Sequence, residues 1–543
     1  MGVGHCWRGG KLGEAEKARP TLEDARAALA EHFGYQSFRP GQDRVIEAVL
    51  AGRDALAVMP TGAGKSVCYQ VPAALLPGLT IVVSPLISLM ADQVRALKEA
   101  GIRRSYYNSS LKAHVRPEVL RRAAAGWYDI MYVAPERLTD PAFRAFATQV
   151  QIPLVAIDEA HCVSQWGQDF RPAYREIASF VASLPERPPV MALTATATTR
   201  VREDISALLR LHDPIIQVSG FDRPNLRLST FELTPKKRER WVANYVKAHP
   251  EESGIVYATT RKKVEQIADA LVAEGIAATA YHAGMSDEDR EAAQHAFVHD
   301  DALVLVATTA FGMGIDKSNV RFVINCGLPL SLEEYYQEAG RAGRDGEPAA
   351  CYLLWSRGDI RTCHYFIDMV EDEGMSRADR ERVRATKERL LGEMIGYAMS
   401  TSCLRARILR YFGQPTEGLS SGCDNCSVCC EDSAERYLVA ERTPRRSSRA
   451  AERIRAERAR AERDFDAYEP GEGDEELFAR LRALRKRLAD EQGVPPYVVF
   501  SDATLRAMVR QRPANDEEFL AVSGVGKVKL ERYGAEFLEE IGA

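Results

Sequence analysis

Three short clusters in this 543-residue chain are built to handle phosphate. The first, Thr61-Gly62-Ala63-Gly64-Lys65-Ser66, follows an apolar run, Ala55–Met59, that reads as a strand, and precedes a stretch that reads as a helix. A glycine-rich turn in that setting offers backbone N–H groups and a helix N-terminus to an anion. Lys65 would neutralise β/γ oxygens there, and Ser66 would offer its hydroxyl to Mg²⁺. The second cluster, Asp158-Glu159-Ala160-His161, follows the strand-like Leu154–Ile157. Asp158 would hold Mg²⁺ through water, and Glu159 would orient and deprotonate an attacking water. An acidic pair at a buried strand end is costly without a cation or partners, which argues against a purely structural role. The third, Gln337-Glu338-Ala339-Gly340-Arg341-Ala342-Gly343-Arg344, places two arginines three apart, on one side of a helix. Either could reach a γ-phosphate as an arginine finger, with Arg344 favoured. In this order the clusters imply ATP hydrolysis in a cleft between two domains. One position departs from the strict phosphate-loop pattern: Met59 stands where the first glycine would be.

The elements that must position these residues alternate. Ala55–Met59, Thr80–Ser84, Ile130–Ala134, Leu154–Ile157 and Val190–Leu193 are short apolar runs separated by helical or loop sequence, which predicts a parallel sheet wrapped by helices. The pattern restarts with Gly254–Tyr257, Ala277–Tyr281, Ala302–Ala307 and Arg321–Asn325, ending near residue 360. Helical sequence and a cysteine cluster follow. Residues 431–474 are dominated by Arg, Glu and Ala and read as a solvated helix or a linker. A helical rhythm then returns at Leu477, Leu481, Leu484 and Leu488. The expected divisions are a flexible tail (1–21), a first lobe (22–220), a second lobe (221–360), a cysteine module (361–430), a charged linker (431–474) and a small all-α domain (475–543).

The net charge of −5 excludes a protein coated in basic surface but not a local basic groove. No apolar stretch approaches the roughly 20 residues needed to cross a bilayer, so no membrane partner is expected. Cys6, Cys68, Cys162, Cys326, Cys351 and Cys363 follow no disulfide spacing, and Met1–Pro20 has no apolar leader. Both features point to a reducing cytoplasm, with nucleoid association if the source is bacterial.

Past the second cluster, Trp166, Phe170, Arg171 and Tyr174 interleave aromatic rings with positive charge, a surface on which unpaired bases can stack. Here the chain closely resembles the RecQ family of DNA helicases, within superfamily 2. Phe33-Gly34-Tyr35-Gln36-Ser37-Phe38-Arg39-Pro40-Gly41-Gln42 resembles that family's adenine-reading motif. The resemblance implies that Tyr35 stacks on the base, Gln42 reads its edge and Arg39 supports the nucleotide. Further matches are Ser84–Met90, Thr194-Ala195-Thr196, Phe221-Asp222-Arg223-Pro224-Asn225-Leu226, Tyr281–Gly284 and Ala307–Lys317. The last of these adds Gly314 and Asp316 to the implied nucleotide contacts. The likeness spans roughly residues 22–430. It implies two RecA-like lobes and 3′→5′ movement on single-stranded DNA in recombination and repair. Ser84, Thr194 and Thr308 sit at loops where hydroxyl and N–H donors could take DNA phosphates. Gln168 stands where relatives often have His.

Cys423-Asp424-Asn425-Cys426-Ser427-Val428-Cys429 is a double C-x-x-C, and Cys403 offers a fourth thiolate. Four thiolates suit a closed structural Zn²⁺ site, with a reactive dithiol as the alternative. Cys430 could compete as a ligand. The segments 494–502 and 519–526 resemble the HRDC domain, a helical nucleic-acid-binding module, with Lys527, Lys529 and the Gly-Val-Gly turn as candidate phosphate contacts. Family members usually carry a winged-helix domain where residues 431–474 stand, and this composition cannot make one. The arginines of that stretch could touch DNA, but the interspersed Glu favours a spacer.

The expected protein is an ATP-dependent 3′→5′ DNA helicase using ATP, Mg²⁺ and Zn²⁺. Its expected partners are single-stranded and forked or tailed duplex DNA, together with single-stranded-DNA-binding and repair proteins. Two alternatives stay open: a DNA-stimulated translocase that does not separate strands, and a non-catalytic DNA-binding scaffold. The motor alone does not exclude RNA.

Overall fold

The computed structural model describes residues 19–167, 169–309, 311, 317–369, 377–438 and 474–542. Its first sheet contains β1 (Ala55–Val58), β2 (Thr80–Val83), β3 (Arg104–Tyr107), β4 (Ile130–Val133), β5 (Val155–Ile157), β6 (Val190–Thr194) and β7 (Ile215–Val218). The strand order is β3-β4-β2-β5-β6-β1-β7, and every pairing is parallel. Successive residues of a strand point to opposite faces. Leu56 and Val58 therefore join one core with Val155 and Ile157, while Ala55 and Ala57 join another with Ala156 and Leu193. Burial on both faces explains why these strands are unbroken apolar runs. The neighbours β5, β6 and β1 end at one edge of the sheet, so that edge carries Asp158-Glu159, Thr194-Ala195-Thr196 and the phosphate loop together.

The second sheet contains β8 (Leu226–Glu232), β9 (Ser253–Ala258), β10 (Ala278–Tyr281), β11 (Val304–Ala307), β12 (Val320–Cys326) and β13 (Ala349–Trp355), in the parallel order β10-β11-β9-β12-β13-β8. Four strands lie outside the expected set. β3, β7 and β8 are edge strands with partly exposed residues, so they make no continuous apolar run. β13 is buried and apolar, but it follows directly on the glycine-rich arginine turn, where the sequence reads as loop.

Phe221, at the junction of the lobes, stacks on Phe412 at 4.2 Å and meets the edge of Tyr336 at 5.9 Å. One core accordingly runs from Val58 of the first lobe through Tyr257 and Leu305 of the second to Leu404, Ile408 and Cys426 of the cysteine module. The expected linker begins later than residue 431. Trp241 Nε1 donates to Ala434 O (3.1 Å) and Asn244 Nδ2 to Tyr437 O (2.8 Å), which tie Ala434–Tyr437 to the second lobe. The remaining linker residues 439–473, with their arginines, and the tail residues 1–18 lie outside the described residues.

Helices Asp474–Gln492, Pro496–Val499, Asp502–Gln511, Asp516–Ala521 and Lys527–Gly542 enclose their own core of Leu477, Leu481, Leu484, Leu488, Phe500, Phe519 and Phe537. This domain touches both lobes. Arg532 pairs with Glu99 at 2.8 Å, and Lys486 donates to His299 O (2.8 Å) and Asp301 (3.0 Å). Its Gly-Val-Gly turn is not an open phosphate site: a Cβ on Gly526 would stand 3.1 Å from Gly34 Cα, so the first lobe covers it. Lys529 Nζ sits over the Phe500 ring, 5.3 Å from its centroid, rather than facing a ligand surface. Among the described residues no helix is long and apolar enough to cross a membrane.

Asp54, 2% exposed, fastens β1 to both its neighbours. Its carboxylate accepts from Val190 N (2.8 Å) at the start of β6, from His212 N (2.7 Å) ahead of β7, and from the Arg187 guanidinium (2.6 and 3.0 Å). Burial alone would raise its pKa, but these donors outweigh burial and hold it below the ordinary carboxylate range. Removing one partner of a buried pair strands the other, so Asp54→Ala is expected to cost about 3 kcal/mol in urea unfolding of the first lobe. A depressed pKa stabilises above the unfolded-state value, so the gap to wild type should narrow as the pH falls below about 4, through the lowered folded-state pKa.

Candidate active site

Gly62 and Gly64 have φ of +83° and +78°, where a side chain is strained, and their surroundings also leave no room. A Cβ on Gly62 would stand 3.1 Å from Arg344 Cγ, and one on Gly64 2.7 Å from Gln42 Nε2. Ser66 is the N-cap of helix Val67–Leu75, so Thr61, Gly62, Ala63, Gly64 and Lys65 form a turn before that helix's positive end. Lys65 Nζ donates to Met59 O at 3.2 Å. Gln42 Nε2 donates to Ala63 O (3.0 Å) and Gly64 O (2.9 Å), while Arg39 donates to Gly62 O. Both residues expected at the base and nucleotide therefore brace the loop in this structure. Tyr35 keeps 44% of its surface exposed.

Asp158 leaves β5 almost buried, and Glu159 adopts φ 47°, ψ 48°, an uncommon left-handed conformation for a residue with a side chain. His161 Nδ1 lies 2.9 Å from Thr194 Oγ1 and 3.3 Å from Glu159 Oε2, a buried oxygen that accepts no hydrogen bond among the described residues. Thr196 N donates to Thr194 Oγ1 (3.2 Å), and Gln337 Nε2 donates to Thr196 Oγ1 (3.0 Å). Hydrogen bonds thus run from His161 of one lobe to Gln337 of the other, and Glu159 meets this path through its charge contact with His161.

Burial and the charge of Glu159 push Asp158 up to about 7, against the pull of Lys65. Burial also opposes the Glu159 charge, but His161, Lys65 and Arg341 prevail and hold it down at about 2. Burial works against charged His161 as well, yet the Cys162 sulfur and Glu159 raise it well above the ordinary value. Lys65 is lowered by burial, against the attraction of Glu159 and Asp158. A carboxylate oxygen without a hydrogen bond, beside a carboxyl whose ionisation burial opposes, marks a site short of positive charge. Asp158 and Ser66 fit a divalent cation, and the loop fits phosphates.

Arg341 and Arg344 are not on a helix. Helix Leu332–Ala339 ends first, and both arginines lie in the turn after it, where Gly343 has φ +54°. Arg344 meets the loop because this turn presses against it: a Cβ on Gly340 would be 3.2 Å from Thr61 Cβ. Arg341 is 6% exposed and the stem of Arg344 lies over Gly62. Gly314 and Asp316 lie outside the described residues, as does Gln168.

In the aromatic loop after the acidic pair, Trp166 lies under Arg200 (3.3 Å from the ring centroid) and Phe170 under Arg175 (5.0 Å). The loop thus presents two half-buried rings, each backed by a cation. Arg171 donates to Pro85 O (3.0 Å) and Asp169 (3.1 Å), so it braces this loop. Ser84 and Thr194 need correction as phosphate contacts, because both are fully buried. The Thr194 hydroxyl is engaged by His161 and Thr196, and neither side chain is open to the surface. Thr308 is half-buried at the end of β11.

The Sγ atoms of Cys403, Cys423, Cys426 and Cys429 lie within 4.8 Å of one another, a spacing that fits tetrahedral thiolate ligation. A hydrogen bond from Cys423 lowers Cys426 to about 4; the same bond pushes Cys423 well up, and burial raises Cys429 to about 11. Sulfurs this close share protons that a divalent cation would displace. Cys430 is exposed and outside the cluster. Sequence reasoning missed Arg175 and Arg200, since nothing in their local pattern sets them apart from other surface arginines. It also gave no role to Arg223, Thr196, Asn425 and Arg405 individually; the first three stand in motifs it did single out.

Four family models match in chain order: the DEAD/DEAH box helicase (residues 39–205), the helicase conserved C-terminal domain (236–346), RecQ zinc-binding (357–430) and the HRDC domain (474–541). The ATP-dependent DNA helicase RecQ of Bacillus subtilis (strain 168) is 38% identical over 595 residues, covering 96% of this chain and 99% of that protein. That span exceeds the length of this chain, so the relative carries residues without counterpart here. RecQ of Pasteurella multocida (strain Pm70) is 36% identical over 608 residues, covering 96% and 94%. The fold matches S. cerevisiae Dbp5 bound to RNA and ADP BeF3, with a TM-score of 0.51 at 16% identity, over 68% of this chain and 97% of that one.

The cysteine geometry leads to a metal-content prediction. The purified chain should hold about one zinc per molecule by elemental analysis, as a four-thiolate site binds one ion. Cys426→Ser should lose it, and Cys430→Ser should retain it.

Proposed function

The chain belongs to the RecQ family of ATP-dependent DNA helicases, and we propose that it moves 3′→5′ on single-stranded DNA and separates tailed or forked duplexes in recombination and repair. The observation that carries this reading is the path Glu159–His161–Thr194–Thr196–Gln337, which links the hydrolytic carboxylate to both lobes. ATP lies between the phosphate loop and the arginine turn, with Tyr35 against the base and Lys65 on the β/γ oxygens. Asp158 and Ser66 would hold Mg²⁺, which supplies positive charge against those oxygens. Glu159, kept anionic by its neighbours, accepts the proton of the attacking water at Oε2, while His161 fixes its direction. Arg344 and Arg341 meet the charge that develops on the transferred group.

Trp166 and Phe170 take unpaired bases, and the loop carrying them follows the second cluster directly, so strand contact and hydrolysis share one segment. Cys403, Cys423, Cys426 and Cys429 would hold Zn²⁺, which supplies a cross-link between helix Leu404–Tyr411 and the loop behind it. Single-stranded-DNA-binding and repair proteins are the proposed protein partners. A second reading, translocation without strand separation, is favoured by the span 439–473, too short and too charged for a winged-helix domain.

Strand separation of a 3′-tailed duplex with ATP and Mg²⁺ tests the proposal. Unwinding is expected from the 3′ tail and not from a 5′ tail. Lys65→Ala and Glu159→Gln should each lower DNA-stimulated ATP hydrolysis about a hundredfold or more, as removal of transition-state charge or its base does. Hydrolysis stimulated by DNA without unwinding would assign the translocase instead.

A further inference from the structure

The hinge between the lobes runs through Phe221-Asp222-Arg223-Pro224-Asn225, and one of its side chains bonds the two halves of the cleft together. Arg223 Nη1 donates to Thr61 O of the phosphate loop (2.9 Å) and to Gly340 O (3.3 Å). Its Nη2 donates to Ala342 O (3.0 Å) and Gly343 O (2.7 Å). The last three carbonyls belong to the turn that carries Arg341 and Arg344. A guanidinium presents five N–H donors in one rigid plane, so a single side chain can fix two backbone segments at a set separation. These bonds go to main-chain carbonyls and so define the path of the turn itself. That path decides where Arg344, whose stem already lies over Gly62, directs its charge.

The hinge is itself anchored from behind. Asn225 Nδ2 donates to Gly343 O and Glu347 O, both at 2.9 Å, a second hold on the same turn. Arg405 Nη2 donates to Arg223 O (3.3 Å), Pro224 O (3.1 Å) and Leu226 O (3.1 Å). Asn425 Nδ2 adds Pro224 O (3.0 Å) and Leu226 O (3.2 Å). Arg405 stands two residues past Cys403, the N-cap of helix Leu404–Tyr411, and Asn425 lies between Cys423 and Cys426. The cysteine module thus fixes the backbone from which Arg223 reaches into the cleft.

We infer that Arg223 is a positioning residue for ATP hydrolysis, setting the phosphate loop and the arginine-bearing turn at their working distance, with Arg405 and Asn425 of the cysteine module as its anchor. The inference rests on the helicase reading above and deepens it. Arg223 reaches the reaction only through the loop and the turn, so its loss should slow turnover and leave ground-state binding in place. Lysine keeps the charge, but its single nitrogen with three donors cannot reproduce the four bonds that Nη1 and Nη2 share between Thr61 O and the three turn carbonyls.

The test uses the full chain with saturating single-stranded DNA and compares Arg223→Lys, Arg341→Lys, Arg344→Lys and the double variant of Arg223→Lys with the slower arginine. Arg223→Lys is expected to lower kcat roughly thirtyfold, as a small misplacement of catalytic groups does, with KM for ATP, DNA affinity and Tm little changed. The double variant should be no more than about twofold slower than the arginine single, because residues acting through one another are not additive. Hydrogen exchange of residues 340–347 should be faster in Arg223→Lys, a readout that needs no turnover. Unchanged kcat, multiplicative losses in the double variant, unchanged exchange, or a parallel fall of Tm and both affinities would each overturn the positioning role. Wild-type protein that fails to hydrolyse ATP with DNA would overturn the functional reading instead, and the exchange measurement would still decide the geometry.

Discussion

Asp158 and Glu159 are adjacent in the chain, sit at the end of a buried strand and cannot both carry unbalanced charge there. Much of the cleft consists of the groups that answer this constraint. Lys65 comes from the loop after β1, His161 from the turn after the pair, and Arg341 from the other lobe, and all three favour the charge on Glu159. Asp158 is left without enough positive charge, which is the condition a divalent cation and an anionic substrate relieve together. Burial makes the site demanding, and the same burial makes each compensating charge effective.

The compensating groups belong to two lobes, so their arrangement depends on what holds the lobes in register. The lobes share one apolar core through Phe221, Tyr336 and Phe412, and the hinge carbonyls are held by polar side chains of the cysteine module. Packed cores resist gradual deformation, so a shift at the hinge moves whole segments rather than single side chains. The C-terminal helical domain adds contacts to both lobes from outside, with Gly526 against Gly34 and Lys486 against Asp301. The contact with Gly34 sets this domain beside the segment that carries Tyr35.

Much of this is legible in the chain. The phosphate loop, the acidic pair and the cysteine spacing are local patterns, and the alternation of buried strands with helices follows from burial on both sheet faces. The edge strands β3, β7 and β8 are not legible, because one side of each faces solvent or a loop and their sequence carries no continuous apolar run. Ser84 and Thr194 show the opposite error: a hydroxyl at a strand end suggests a phosphate donor, but whether it faces a groove or the interior depends on neighbouring strands. Arg341 and Arg344 have the expected role candidates and an unexpected backbone, a turn rather than a helix.

The sequence by itself determined the glycine-rich loop, the acidic pair, the cysteine spacing and the presence of two successive parallel sheets, since each depends on residue type and short-range spacing. Only the tertiary structure decided that Gln42 and Arg39 brace the loop, that His161 reaches Glu159 and Thr194, and that Arg223 joins Thr61 to Gly343. The physical reason is that a hydrogen bond has a range of about 3 Å, while the residues it joins here can stand a hundred or more positions apart. Nothing in local spacing records which distant carbonyl a guanidinium will meet. The folding of both lobes and the cysteine module around one hinge settles it.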